Sequence, residues 1–228
     1  LGMWQDSITM NLRAANAAKR YAKQANIVGH WDEELHALVF LADAYMQTGE
    51  YEKAQEVYDY VGGMKAFYPI NGKTAGSIAG VQARFVLDQQ NWQDAAKLSH
   101  TPNFFPWDDF PTEAAIVNFT AGYGNIRLGK IEETLAQVKA LEKWQKDLQE
   151  RNLPIQEKRV ISYIKMLNGW VLYQQGQDKK AIDLLKEAVD VQMSFGVQWV
   201  ALPAAESLAD LYLEMGRPTD ALNTYQEL

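Results

Sequence analysis

The chain has 228 residues and a formal net charge of −7, an acidic balance that disfavours nucleic acid as a partner, because phosphate binding needs a basic face. It has no cysteine, which excludes disulfides, thiolate catalysis and cysteine zinc sites. No run of about eighteen apolar residues occurs, so we expect no membrane span.

Apolar residues recur at three- and four-residue steps along most of the chain, as they do in amphipathic helices. Leu38, Leu41, Ala42 and Tyr45 are one example. Alternation typical of strands is not evident, so the pattern predicts an all-α protein of about eleven helices. The predicted helices span residues 3–26, 32–48, 51–67, 73–89, 92–99, 112–128, 131–151, 155–175, 178–194, 203–215 and 218–228.

Prolines, glycines and polar residues lie where these helices are expected to begin or end. A proline in the first turn loses no needed hydrogen bond, and Asp or Asn can cap a helix start. The predicted helix openers are Pro154, Pro203 and Pro218, the predicted caps are Asp32 and Asn71, and the glycines expected between helices are Gly29, Gly62, Gly63 and Gly196.

Two columns of small residues accompany the predicted turns, which recur every 39 to 47 residues. Small residues on both sides of a turn let two helices cross closely, so the columns predict a stack of antiparallel helix pairs. Each turn residue is followed five positions later by a small residue, in the pairs Gly2/Ser7, Gly49/Ala54, Gln90/Ala95, Gly129/Thr134, Gly176/Ala181 and Gly216/Ala221. Seven residues before a turn stand Ala42, Ala83, Gly122, Gly169 and Ala209.

These columns resemble the tetratricopeptide repeat, although its usual period of about 34 residues is shorter. The resemblance implies a right-handed α-solenoid of antiparallel helix pairs with long, irregular repeats. It is weakest where Gln90 replaces the turn glycine. It is strongest at Leu38, Leu41, Ala42, Tyr45, Gly49, Tyr51, Ala54 and Tyr58, followed by Leu208, Ala209, Tyr212, Gly216, Ala221 and Tyr225.

We expect one helical repeat domain over residues 1–228. Because Gly2 already occupies a turn position, the chain is interpreted as part of a longer array. The stretches LGMWQDSITMNLRAANAAKRYA, FFPWDDFPTEAA and LPAAESLADLYLEMGRPTDAL resemble the C-terminal half of longer, largely uncharacterised bacterial tetratricopeptide-repeat proteins. Many of these look exported, and localisation stays open between the periplasm and the cytoplasm. The segments assigned are 1–30, the second helix of a truncated repeat, and the repeats 32–68, 73–100, 112–151, 155–195 and 203–228.

The resemblance implies a non-catalytic scaffold that binds a protein or peptide in a concave groove lined by the first helix of each pair. Acidic residues dominate the last repeat, so we expect the ligand to carry apolar or basic groups towards that end. By register, the predicted groove residues are His36, Asp43, Gln47, Arg84, Asp88, Tyr123, Arg127, Tyr163, Trp170, Gln174, Glu206, Asp210 and Glu214.

A loop over residues 100–111 contains three prolines and four aromatic residues. Its aromatic side chains have two interpretations: they fill the space left by the short helix 92–99, or they form a binding surface. The aromatic residues concerned are Phe104, Phe105, Trp107 and Phe110.

No motif indicates catalysis, a cofactor or a metal site. His30 and His36 are six residues apart, about 600° around a helix, and therefore do not share a face. Gly122 and Gly124 are expected inside a helix, where they cannot form a dinucleotide loop. We therefore predict that the chain is not an enzyme.

Two other classes stay open. One is an α/α-toroid enzyme or a ligand-binding helical domain. The other is a self-associating module, in which the truncated ends pack through exposed apolar side chains such as Ile8, Leu12 and Leu222.

Overall fold

The computed structural model describes residues 2–195 and 201–226 and shows an all-α protein in this part of the chain. It confirms the predicted fold class. The elements are α1 (Trp4–Gln24), β1 (His30–Trp31), α2 (Asp32–Gln47), α3 (Tyr51–Gly62), β2 (Phe67–Tyr68), α4 (Gly72–Asp88), α5 (Trp92–Ala95), a 3₁₀ turn (Trp107–Asp109), α6 (Pro111–Arg127), α7 (Ile131–Glu150), α8 (Pro154–Gln174), α9 (Asp178–Met193), α10 (Ala204–Glu214) and α11 (Pro218–Gln226).

The helices form two compact units. Unit 1 comprises Leu1–Gln90 and His100–Ala114, and unit 2 comprises Asn91–Ser99 and Ala115–Leu228. The boundary divides the predicted repeat 73–100 at Gln90 and also falls inside α6. The expectation of a single domain over the whole chain stays a prediction.

Two of the predicted helices are too long. The segment 51–67 ends as a helix at Gly62, and the segment 92–99 ends at Ala95. After Gly62 the chain turns into the short strand β2, which pairs in parallel with β1, a feature that the sequence pattern does not indicate. These pairings join segments more than thirty residues apart, which a local pattern does not reveal.

Gly29 makes the pairing of the two strands possible. Its φ is +91°, and a Cβ at this position would lie 2.5 Å from the carbonyl oxygen of Ala66. The next amide, from His30, donates to that same oxygen at 2.9 Å. Only a residue without a side chain accommodates this approach.

Most predicted helix ends are confirmed. Asn71 caps α4, because its side-chain oxygen accepts the Thr74 amide at 2.8 Å, and Pro154 opens α8. The predictions for Asp32 and Pro203 are wrong by one position: Asp32 is the first residue of α2, and Pro203 is the N-cap of α10. Gly196 lies outside the described residues.

The turn glycines end their helices in the left-handed conformation. At Gly49 φ is +74°, its amide bonds the Met46 carbonyl at 3.0 Å, and the Glu50 amide bonds the Tyr45 carbonyl at 2.8 Å. This pair of bonds is a Schellman motif, which satisfies carbonyls left open at a helix end. Gln90 adopts the same conformation, with φ +51°, although it carries a side chain.

The small-residue columns mark close helix crossings in unit 2. A Cβ at Gly122 would lie 2.6 Å from the Leu167 side chain, and the Thr134 hydroxyl lies 3.3 Å from the Gly122 carbonyl oxygen. A Cβ at Gly169 would lie 2.9 Å from Leu185. These contacts join α6 to α7 and α8, and α8 to α9, as the columns predict.

No helix among residues 2–195 and 201–226 combines the length and the apolar character that a bilayer crossing requires.

Candidate partner-binding surface

Helix α2 has a buried face and an accessible face, which its residue spacing sets. Leu35, Leu38, Leu41 and Ala42 are buried in unit 1. His36, Phe40, Asp43 and Gln47 recur at steps of four and three and therefore share the other face. On this face His36, Phe40 and Asp43 are half-buried, Gln47 is exposed, and the His36 ring meets Phe40 edge-on with 5.1 Å between centroids.

Helix α4 packs beside α2 in unit 1 and brings three predicted groove residues together. Nη2 of Arg84 lies 2.7 Å from Oδ1 of Asp43, a close ion pair without the direction of a good hydrogen bond. Asp88 follows Arg84 by one turn. Partial burial raises the pKa of the Asp88 carboxyl, the Arg84 charge lowers it, and the Asp43 charge raises it further. Arg84 thus pairs directly with Asp43, and Asp88 lies close enough for both charges to shift its pKa.

The same side of α4 has no side chain one turn before Arg84. Gly80 stands there, and a Cβ built on it would meet no atom within 4 Å. Gly76, another turn earlier, would meet only the Glu113 side chain at 3.7 Å. The helix backbone is therefore open to an approaching chain beside the charged cluster.

Three aromatic groove residues of unit 2 lie in its interior. Tyr163 is 0% exposed, and Tyr123 and Trp170 are each 1% exposed. Phe119 stacks on Tyr163 with 4.3 Å between centroids, and Trp170 meets Tyr123 edge-on. These side chains pack the core of unit 2, and their part in binding stays a prediction.

Sequence reasoning missed the residue that holds this cluster together, Ser207 on α10. Its hydroxyl accepts the indole N–H of Trp170 at 2.8 Å and lies 3.3 Å from the Tyr123 hydroxyl. Burial raises the pKa of Tyr123 above its ordinary range. The only signal in the sequence was a serine among the apolar residues of a helix, which does not identify its partners.

Arg127 completes the cluster from the last turn of α6. Its guanidinium lies 4.5 Å from the Trp170 ring centre and 5.3 Å from that of Trp92, and Nη2 lies 2.6 Å from a Glu214 oxygen. The cation is therefore held between aromatic faces and a carboxylate, an arrangement that fixes α6 against α8 and α10.

The remaining groove residues of unit 2 are more accessible. Gln174 and Glu214 are exposed, and Glu206 and Asp210 are half-buried on α10. The hydroxyl of Tyr225 donates to Asp210 at 2.9 Å. Burial raises the pKa of the Asp210 carboxyl, although this hydrogen bond and the Arg127 charge lower it.

The aromatic loop packs within unit 1. Phe105 and Trp107 are buried, and Phe105 meets Phe67 of β2 edge-on with 5.8 Å between centroids. The Trp107 ring stacks on His100 at 5.7 Å. Phe110 is half-buried, whereas Phe104 is 55% exposed and stacks on Phe67 at 5.9 Å. Phe104 is the aromatic side chain of this loop that a partner can reach.

The His30–His36 segment forms an ion-pair network in the structure. His30 Nδ1 lies 3.1 Å from Oε2 of the buried Glu34, whose other oxygen accepts the Tyr60 hydroxyl at 2.8 Å. Lys19 of α1 lies 3.6 Å from the same carboxylate. Within residues 2–195 and 201–226 no three His, Cys, Asp or Glu side chains are grouped to hold a metal ion.

The ends of the described chain expose different amounts of apolar surface. Leu12 and Leu222 are exposed as predicted, but Ile8 is buried, so its expected exposure is wrong. Ile8 lies on the side of α1 that packs against α2. Self-association through these ends stays a prediction.

The family model described as "Tetratricopeptide repeat" matches residues 37–59, which cover most of α2 and α3. Residues 37–59 of this chain are similar to a tetratricopeptide repeat. The matched repeat is the one whose small residues, Ala42 and Ala54, are both buried around the Gly49 turn.

A solved structure shares the fold over the whole length. The crystal structure of BtubC (BKLC) from P. vanneervenii is similar with a TM-score of 0.59, covering 100% of this chain and 90% of that chain. The two sequences are 12% identical, so the similarity concerns the fold alone. The search of curated proteins gave no match.

Proposed function

We propose that this protein is a non-catalytic interaction scaffold, and that the accessible face of α2 and α4 in unit 1 binds a peptide segment of a partner protein. The tetratricopeptide repeat matched at residues 37–59 supports the general role, since helical repeat proteins present extended binding surfaces. The face of α2 and α4 is defined by His36, Phe40, Asp43 and Gln47 with Gly76, Gly80, Arg84 and Asp88.

The observation that carries the proposal is the charged cluster between the two helices. Asp43 pairs with the guanidinium of Arg84, and Asp88 is a second carboxylate near this pair. A lysine or arginine of a ligand would supply the missing positive charge and would lower the raised pKa of Asp88. The cluster therefore favours a ligand with a basic side chain.

The rest of the face could contact the backbone and an apolar side chain of the same ligand. Gly80 leaves the surface of α4 open, and His36 and Phe40 offer half-buried aromatic surface on α2. Aromatic side chains supply much of the binding energy in protein interfaces. We infer a peptide with an apolar residue near Gly80 and a basic residue near Asp88.

The sequence also predicts groove residues on α10 in unit 2, where Glu214 is exposed and Glu206 and Asp210 are half-buried. These acids would favour basic groups in a ligand of unit 2, although Glu214 is already paired with Arg127. Tyr163 and Trp170 are poor probes of binding, because replacing buried aromatic residues destabilises unit 2 itself. Substitutions on the face of α2 and α4 are sharper tests.

The test begins with affinity capture from the source-cell extract and continues with titration calorimetry of the purified partner. Gly80→Leu fills the open surface, and the double variant Asp43→Lys/Asp88→Lys reverses the cluster's charge. We expect each to raise the dissociation constant at least about tenfold.

Matched controls show whether a loss of binding comes from this face or from an added side chain or changed charge anywhere on the protein. Gly62→Leu adds the same side chain at the end of α3, where a Cβ also meets no atom within 4 Å. Asp183→Lys/Asp190→Lys makes the same charge change on exposed positions of α9. If Gly80→Leu and the Asp43/Asp88 variant bind within twofold of the unchanged protein, this face is not the binding site.

A further inference from the structure

The chain contains two asparagine–glycine pairs, and the fold places them in opposite surroundings. Asn71 is the N-cap of α4 and Gly72 is the first residue of that helix, whereas Asn168 and Gly169 lie inside α8. An asparagine before a glycine is prone to lose its side-chain amide, because glycine has no side chain to keep the next backbone nitrogen away from the amide carbon.

The backbone nitrogen of Gly72 is free to react. Gly72 is exposed, and as the first residue of α4 it has an amide that no carbonyl of the helix accepts. No hydrogen bond of this amide occurs among residues 2–195 and 201–226. A Cβ built on Gly72 would meet no atom within 4 Å, so no neighbour crowds this residue.

The Asn168–Gly169 pair is protected by the helix around it. The Gly169 amide is bonded inside α8, as in any helix interior. Gly169 is also buried, and a Cβ there would lie 2.9 Å from the Leu185 side chain. Helix ends open at a much lower free energy than packed helix interiors. The fold therefore leaves one pair reactive and protects the other.

We propose that Asn71–Gly72 is a site of spontaneous deamidation in the folded protein, and that the reaction releases the cap of α4. The Gly72 nitrogen loses its proton to hydroxide and bonds to Cγ of Asn71, the Cγ–Nδ2 bond breaks, and ammonia leaves. Water then opens the five-membered ring at either carbonyl carbon and leaves an aspartyl or an isoaspartyl residue. The net change consumes one water, releases ammonium and replaces a neutral amide by a carboxylate, with no oxidant or reductant.

The Asn71 side chain now ties the start of α4 to α2. Its oxygen accepts the Thr74 amide at 2.8 Å, and its Nδ2 donates to Oδ2 of the buried Asp32 at 2.9 Å. After the reaction a carboxylate replaces this donor and faces the Asp32 carboxylate, with Lys73 3.0 Å from the same Asp32 oxygen as partial compensation. An isoaspartyl residue also lengthens the backbone by one methylene and displaces the capping oxygen. Both products therefore weaken the first turn of α4.

Peptide mapping by mass spectrometry tests the reaction. The purified protein is incubated at mildly alkaline pH, and both pairs are followed, since deamidation adds about 1 Da to a peptide. In the folded protein we expect Asn71 to react at least about tenfold faster than Asn168. In the chain unfolded by guanidinium chloride, the two asparagines should react within about twofold of each other, because the protection by α8 is lost.

A substitution at the neighbouring glycine tests the chemistry without removing the asparagine. Gly72→Ala adds a methyl group that hinders ring closure and meets no atom within 4 Å, so the fold is kept. It should slow the reaction at Asn71 at least about tenfold. The matched control Gly62→Ala adds the same group at the end of α3, also in open surroundings, and should leave the rate within about twofold.

Thermal unfolding tests the release of the cap. Asn71→Asp reproduces the aspartyl product and should lower the unfolding midpoint by about 2–4 °C, because the hydrogen bond to Asp32 is replaced by repulsion. Asn16→Asp makes the same change at an exposed position of α1 and should shift the midpoint by about 1 °C or less. An unchanged midpoint in Asn71→Asp would overturn the proposed effect on α4.

Three results would overturn the reaction itself. The first is an unmodified Asn71 in the folded protein under conditions in which the unfolded chain reacts there, which would show that the cap protects this residue. The second is an equal rate at Asn71 and Asn168 in the folded protein. The third is a rate at Asn71 that Gly72→Ala leaves unchanged. The site is separate from the proposed binding face of α2 and α4, so none of these results depends on a ligand.

Discussion

Gly124 and Gly80 both lie within long helices, but their surroundings differ. A Cβ at Gly124 would lie 2.4 Å from the Ala96 backbone nitrogen and 2.7 Å from the Ala95 Cβ, because α5 packs directly on α6 there. A Cβ at Gly80 would meet nothing within 4 Å. Gly124 is therefore required by packing, whereas packing does not require Gly80, which lowers the helix propensity of α4.

We expect Gly124→Ala to lower the free energy of unfolding by about 1–3 kcal/mol, because backbone atoms cannot yield to the added methyl group. The same substitution at Gly80 should raise it by about 0.5–1 kcal/mol, since alanine is the better helix former. Urea unfolding of the two variants measures both effects. Equal changes at the two positions would contradict the packing assigned to α5.

Gln90 is in a backbone conformation that is less favourable for it than for the glycines at the other turns. Its φ of +51° lies in the left-handed region, which disfavours a residue with a Cβ. We expect Gln90→Gly to raise the free energy of unfolding by about 0.5–1 kcal/mol. Thermal and urea unfolding measure the change.

The neighbouring residue is the control for this prediction. Gln89 has φ −81°, so Gln89→Gly gains no relief and should lower the free energy of unfolding by about 0.5–1 kcal/mol. A loss of stability in Gln90→Gly would show that the glutamine side chain contributes more than its backbone costs.

At the scale of elements, Glu34 joins three helices of unit 1. Its carboxylate on α2 contacts Lys19 of α1 and Tyr60 of α3, as well as His30 of β1. Burial raises the pKa of this carboxyl, but the hydrogen bonds from His30 and Tyr60 and the charges of His30 and Lys19 together hold the pKa below its usual range. The charged form is thus stabilised by folding.

A lowered pKa in the folded state makes stability depend on pH. The contribution of Glu34 is present above its unfolded pKa, about 4.3, and is lost as pH falls through the lower folded value. We expect Glu34→Gln to lower the free energy of unfolding by about 1.5–3 kcal/mol at pH 7 and by much less near pH 3. Urea unfolding at the two pH values measures this difference.

The control is Glu52→Gln on the exposed side of α3, which should change stability by less than about 0.5 kcal/mol at either pH. If Glu34→Gln lowers the free energy of unfolding by the same amount at pH 7 and pH 3, then packing, rather than the charge of Glu34, joins these helices.

The hairpin of α2 and α3 shows which helix ends the sequence predicts and which it does not. Apolar spacing and the Gly49 turn are local, so α2 and its end are predicted to within one residue. The end of α3 is not predicted correctly. After Gly62 the chain leaves the helix, because β2 pairs with β1 and Phe67 packs on Phe105, and these contacts stabilise the protein more than another helical turn would. Those partners are distant in sequence.

At the scale of the molecule, each unit has its own core. In unit 2, Trp170 donates to Ser207 across 37 residues of chain. We expect Trp170→Phe to lower the free energy of unfolding by about 1–2 kcal/mol, because it removes this buried hydrogen bond. Hydrogen exchange followed by mass spectrometry should show lost protection in α8 and α10, while α2 and α4 keep theirs.

Tyr173→Phe is the matched control, since no hydrogen bond of its hydroxyl occurs among the described residues, and exchange should stay unchanged throughout. Protection lost equally in α2 and α8 after Trp170→Phe would show that the two units unfold as one.

The sequence by itself determined the all-α class, the helix order and the hairpin turns, because apolar periodicity and left-handed turn residues act over a few neighbouring positions. It also predicted Asp43, Arg84 and Asp88 as groove residues, but the ion pair between Asp43 and Arg84 is known only from the structure. Only the tertiary structure decided that Tyr163 and Trp170 are buried, because burial depends on the elements that pack around a side chain. The partner that completes this core, Ser207, lies tens of residues away, where helical register alone does not reveal a contact.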